Sequence, residues 1–144
     1  MATFNKLGGF VEHLAEKVHN LGSDQLVVAL TNTAPGSEST PPTGATGTNI
    51  LANLTQISYT NLSSRNITTS SSAQSGGTYK LVLTDLVLTA SGSVGPFRYV
   101  YIYNDTATND ELIGYYDYGS SITLQNGETF TVDFDGSNGV LQLA

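Results

Sequence analysis

The sequence predicts a mainly β chain: an antiparallel β-sandwich or barrel-like domain carrying one N-terminal α-helix. Three observations predict it. From residue 24 onward, apolar and polar residues alternate over short runs, the period of a strand with one buried face. Gly, Pro, Asn and Asp punctuate those runs, as they do between the strands of sandwiches and barrels. Before residue 23 the period is three to four instead: Phe4, Leu7, Val11, Leu14, Val18 and Leu21 form one apolar stripe among charged neighbours. A length of 144 residues fits one hydrophobic core. The organisation expected is an amphipathic helix or arm over 1–22 and a single β domain over 23–144.

Taken in order, Thr3 suits the N-cap of the helix and Gly22 its stop. Gly8 and Gly9 each disfavour helix by about 1 kcal/mol relative to alanine, which moves the expected start toward Phe10. The apolar stripe would lie across an edge or open end of the sandwich. QLVVALTN (25–32) reads as the first strand. The stretch 33–48, with Pro35, Pro41 and Pro42, reads as an exposed loop, either an insertion or an arm that orders on a partner. Further strands are expected at 50–59, 64–69, 78–90 and 96–104. SITLQ and ETFTVDF flank Asn126-Gly127, the preferred pair for a type I′ hairpin, with Phe130, Val132 and Phe134 on one face. GVLQLA (139–144) would add a last strand.

Within 96–104 the run FRYVYIYND places Tyr99, Tyr101 and Tyr103 on one face and Val100 and Ile102 on the other. Two apolar faces imply a central strand with a core on one side and a second covered layer over the tyrosines. The cover would be the N-terminal helix or a neighbouring subunit.

Composition narrows the function. Charged residues make up 12% of the chain, about half the usual ~25% of soluble domains. The net charge is −7, and Lys6, Lys17, Arg65, Lys80 and Arg98 form no basic stripe, which argues against direct nucleic-acid binding. Neither a signal peptide nor a membrane span is read at the N-terminus, so a cytosolic start is expected. With no cysteine, neither disulfides nor thiolate metal sites are available.

Chemistry finds no anchor in the sequence. His13 and His19 are separated by six positions, about 240° on a helix, and would not chelate one metal; exposed polar positions are expected for both. Asp105, Asp110 and Glu111 cluster after the tyrosine strand, and Asp133 with Asp135 at the end of the next, but neither set has the spacing of a calcium loop. There is no nucleophile elbow and no phosphate-cradling glycine loop. No cofactor, no metal and no enzymatic step are expected. The remaining feature is aromatic: Tyr115, Tyr116 and Tyr118 in GYYDYG extend the tyrosine set. Such rings serve carbohydrate recognition, here with Asp117, or protein interfaces.

Three long blocks carry a resemblance: KVHNLGSDQLVVALTNTAP, SGGTYKLVLTDLVLTASGSVGPFRYVYIYNDTA and LIGYYDYGSSITLQNGETFTVDF. Together they make nearly the whole chain resemble small virion proteins of tailed bacteriophages, similar to capsid decoration (cement) proteins. The loop 33–48 is longer than the short connection associated with such proteins. The resemblance implies a structural subunit of the virion, made in the host cytoplasm, that binds the major capsid protein and itself, a homotrimer being favoured. A tail or neck component, or a carbohydrate-binding module on the virion, is the alternative. Under this reading the interface residues expected are Phe4, Leu7 and Phe10, Pro35, Pro41 and Pro42, and the tyrosines 99, 101, 103, 115, 116 and 118.

Overall fold

The computed structural model describes residues 2–35 and 49–144. The chain is mainly β with antiparallel pairing throughout. In chain order the elements are β1 (Phe4–Lys6), α1 (Gly8–Ala15), β2 (Leu26–Thr31), a 3-10 turn (Leu51–Asn53), β3 (Thr69–Ser75), β4 (Thr78–Leu83), β5 (Leu86–Thr89), β6 (Val94–Asn104), β7 (Leu112–Leu124), β8 (Thr129–Val132) and β9 (Leu141–Leu143). They form a four-stranded sheet in the order β1-β7-β6-β2, a three-stranded sheet β3-β4-β9 and a ribbon β5-β8.

The two smaller sheets pack as one layer against the inner face of the larger. Leu81, Leu83, Leu88, Val132 and Leu141 from the small sheets join Val28, Leu30, Val100, Ile102 and Ile113 from the large one in a single buried cluster. This is sandwich packing, and it follows from alternation: each strand sends every second side chain inward. β2 lies at one end of the large sheet, yet all six of its residues are buried. Its outer edge is closed by the later chain, with Ile57 N–H bonded to Leu30 O at 3.1 Å, Val28 N–H to Arg65 O at 3.0 Å and Ile67 N–H to Leu26 O at 2.9 Å.

Several expectations are corrected. The N-terminal stripe is not one helix from Thr3 to Gly22. Phe4 to Lys6 pair with Tyr116 to Gly114 as β1, and the helix runs only from Gly8 to Ala15, with Leu7 rather than Thr3 at its N-cap position. Gly8 and Gly9 do not delay the helix, because the Gly9 N–H meets Asn49 Oδ1 at 2.9 Å and only a glycine leaves room for that side chain. Lys17 then turns the chain back at φ 68°. Phe4 to Lys6 thus join the large sheet, and the helix follows directly from it.

The stretch 50–59 is no strand. It makes single bridges at Ile50 and Gln56 around the 3-10 turn and lies as a cover across the large sheet. At 64–69 there is one bridge, at Asn66, and the strand that follows begins only at Thr69. The expected strand 78–90 breaks at Thr84-Asp85 into β4 and β5, which belong to different sheets.

Asn126-Gly127 does make a turn, with Glu128 N–H bonded to Gln125 O at 3.0 Å. Of its two central residues, however, only Gly127 has positive φ, at 84°, so the turn is not type I′. It carries the chain out of β7 in the large sheet and into β8, which pairs with β5. The turn that meets the type I′ requirement joins β3 to β4, where Gly76 (φ 58°) and Gly77 (φ 85°) link the paired residues Ser75 and Thr78. The expected facing within β8 holds: Val132 and Phe134 are buried and Phe130 half-buried, while Thr129, Thr131, Asp133 and Asp135 are exposed.

Candidate functional site

The tyrosine strand sits at the centre of the large sheet, β6 pairing with β2 on one side and β7 on the other. Tyr99, Tyr101 and Tyr103 are buried together with Leu7, Val27, Ala29, Leu54 and Leu112, and Leu51 and Tyr115 pack at the margin of the same cluster. The cover over the tyrosines is therefore neither the helix nor a second subunit. It is the 51–54 segment of the same chain, helped by Leu7.

Each end of that cover is fastened. Leu112 N–H bonds to Asn49 O at 2.8 Å and Leu51 N–H to Asp110 O at 3.1 Å. At the far end, Thr55 N–H bonds to Thr33 Oγ1 at 3.1 Å, and the Tyr101 hydroxyl donates to Thr33 O at 3.2 Å. The Tyr101 ring, 0% exposed, lies 5.5 Å from that of Tyr115. Burial drives the Tyr101 phenol well above its ordinary pKa, with Tyr115 next in effect. Tyr103 is also raised by burial, partly offset by the Arg65 guanidinium. These hydroxyls stay protonated; that of Tyr101 donates to Thr33 O, and that of Tyr103 accepts from the Arg65 guanidinium.

Arg65 was only one of five cations in the sequence, and its place is informative. It stacks over the Tyr59 ring at 3.7 Å, and its Nη1 donates to Val28 O at 2.6 Å. It closes the β2 edge beside Tyr103.

GYYDYG lies on β7, where alternation splits it. Tyr115 faces the Tyr101 layer, while Tyr116 and Tyr118 turn into the sandwich core. Tyr116 packs between Phe4 (5.5 Å) and Phe134 (6.2 Å), and Tyr118 stands edge-on to Phe130 at 4.9 Å. Burial raises both phenols, Tyr118 to about 12. Asp117 pairs with Arg98, Nε to Oδ1 at 2.8 Å and Nη2 to Oδ2 at 3.1 Å, and accepts the Gly119 N–H. The three rings and Asp117 thus form no common platform on which a sugar would stack.

The interface set is corrected accordingly. Leu7, Phe10, Tyr99, Tyr101, Tyr103 and Tyr116 are buried within the chain and would reach a partner only if its core opened. Phe4, Pro35, Tyr115 and Tyr118 are half-buried. Pro41 and Pro42 lie outside the described residues. Among the described residues the exposed large apolar side chains are Val11 on α1, which the stripe placed with the residues expected to pack, and Val87 on β5, each 52% exposed, and Leu143 at 38%.

The histidines differ most from expectation. Because the helix ends at Ala15 and the chain reverses, the His13 and His19 rings come within 6.0 Å of each other. His19 is 5% exposed. Asn104 Oδ1 accepts the N–H groups of Thr106 and Ala107, which fixes its amide so that Nδ2 donates to Asp24 Oδ2 at 2.6 Å and to His19 Nδ1 at 3.0 Å. The neutral His19 therefore carries its proton on Nε2. Beside it, a cleft of 640 Å³ opens between the reversing segment and the β3-β4-β9 sheet, with Leu14, Lys17, Asp24, Tyr79 and Leu143 in its walls.

The carboxylates of the β6–β7 loop act locally. Glu111 accepts from the backbone and side-chain nitrogens of Asn109 at 3.3 and 3.2 Å, and Asp110 sits at φ 52° with its carboxyl pushed up by burial, Asp105 and Glu111. Among the described residues, no three His, Asp or Glu side chains gather as a metal set. Compared with known proteins, the chain matches no family model, no curated protein and no solved structure.

Proposed function

We propose that the chain is a non-enzymatic virion structural protein of a tailed phage, a capsid decoration protein that binds the assembled head and stabilises it. The observation that carries this reading is where the phage-like blocks fall. Lys17 to Pro35 holds β2, Ser75 to Ala107 holds β4, β5 and β6, and Leu112 to Phe134 holds β7 and β8. The resemblance therefore lies on the strands that build the sandwich and its sealed tyrosine layer.

The geometry suits a rigid subunit that presents a finished surface. Where β6 carries its tyrosines, both faces of the sheet are covered by the chain itself, so docking costs no refolding of the core. The net charge of −7 would keep such a subunit off packaged DNA and on the outer side of a shell. A subunit that binds only the assembled state shifts the equilibrium toward that state by mass action, which is how added contacts would oppose internal pressure. The major capsid protein is the partner in this reading. Val11 on the outer face of α1 and the approach to the 36–48 segment at Pro35 are the surfaces assigned to it.

Purified protein mixed with expanded empty capsids of the same phage should bind saturably and raise their resistance to heat. Absence of binding, with the protein recovered from tail fractions instead, would replace the head placement by a tail or neck role.

A further inference from the structure

We propose that the open edge of β3 pairs with the same edge of a second copy, so that the β3-β4-β9 sheets of two chains continue as one across a twofold axis. A strand edge with free N–H and C=O groups is a template for another strand, and proteins defend such edges by covering, shortening or charging them. Most edges of this fold are defended. Residues 57, 65 and 67 cover β2, and Ser63 N–H covers β5 through Thr89 O at 3.0 Å. β1 and β9 are three residues each, and the four residues of β8 lie between Glu128 and Asp133.

β3 is different. It has seven residues, TSSSAQS, with no charge and no proline. Its ladder runs to β4 from a two-residue turn, so Ala73 and Ser71 exchange bonds with Lys80 and Val82 while Ser72 and Gln74 turn their backbone groups outward. Among the described residues no strand lies on that outer side.

The charge distribution selects the occupant. No carboxylate lies between residues 39 and 84, and Asp24, which shares the cleft at Ser72, is held by the Asn20 N–H and Asn104 Nδ2. Two acidic copies would repel each other over most approaches but not here. Antiparallel pairing that uses the outward groups of both Ser72 and Gln74 opposes Ser72 to the partner's Gln74 and puts the axis through Ala73, opposing Ala73 to the partner's Ala73. This is a twofold dimer, in place of the trimer that the resemblance favours.

Because the chain has no cysteine, the register is directly testable. Light scattering over a concentration series should give a dimer. Ala73→Cys alone should cross-link on mild oxidation, and more than Ser71→Cys alone. The double variant Ser71→Lys/Ala73→Lys, at two exposed positions, should be monomeric with an unchanged melting temperature. A wild-type chain that stays monomeric, a dimer or trimer that survives the lysines, or equal cross-linking in the Ala73→Cys and Ser71→Cys variants would overturn the proposal.

Discussion

Tyr101 is the residue on which the tyrosine layer depends, since its ring touches Tyr115 and its hydroxyl reaches Thr33 across the sheet face. Tyr101→Ala should lower the unfolding free energy by about 3–5 kcal/mol, the range for buried aromatic truncations, while Tyr101→Phe should cost about 1 kcal/mol for one hydrogen bond. Urea denaturation measures both. Equal, small losses would mean that the ring is not packed as described. His19 gives a second test. Burial depresses its imidazole below 6.5, His13 adds to the depression, and Glu111 and Asp24 oppose it. The unfolded chain therefore binds more protons than the folded one once the pH falls below 6.5. Stability contributed by neutral His19 is fully present above that value and is lost as the pH drops toward the folded pKa. His19→Gln, which keeps an acceptor for Asn104, should flatten the acid side of the stability profile. At this scale the sequence was partly legible. The alternation in FRYVYIYND placed three tyrosines on one face correctly. It did not reveal that Phe97, two residues before Tyr99, belongs to the opposite cluster, because a register shift between them flips the face and leaves no mark in the residue pattern.

At the scale of elements, the strands with strong β-branched and aromatic alternation were readable: β2, β6 and the halves of 78–90 stand where the pattern puts them. Partners were not, because pairing is decided by which layers close over the core. Asn126-Gly127 tolerates more than one turn type, and the pull of Val132 and Phe134 into the lower layer selects the one that separates β7 from β8. This yields a discriminating variant. Asn126→Pro should be tolerated, or stabilise by a few tenths of a kcal/mol to about 1 kcal/mol, because the first central residue keeps negative φ. In a type I′ hairpin the same change would be disruptive. Conversely, Gly77→Ala at φ 85° should cost about 1–2 kcal/mol and lower the melting temperature, since alanine resists the left-handed region. The cover segment was misread for a related reason. Ile50, Leu51, Leu54 and Ile57 have the composition of a strand, yet Leu51 and Leu54 serve as a lid held by bridges and a 3-10 turn, and Ile57 packs into the sandwich core. Nothing in their spacing separates the two uses.

At the scale of the molecule, the internal closure of the tyrosine layer turns the question of function outward. The residues that looked most like a binding face are the interior, and the described residues leave outward a weakly charged surface with a few exposed apolar points and the undefended edge of β3. Fold class was legible because length, low charge and period-two patterning all constrain it in the same direction. The docking surface was not, because an exposed valine on a helix or an open edge of serines carries no motif. The central claim is that this surface serves an assembled phage head. The most direct measurement is sedimentation of the purified protein with expanded empty capsids of the same phage. Saturable co-sedimentation that also raises the temperature at which the capsids open is the predicted result. Protein left in the supernatant at every concentration, with the capsids opening at an unchanged temperature, would contradict it.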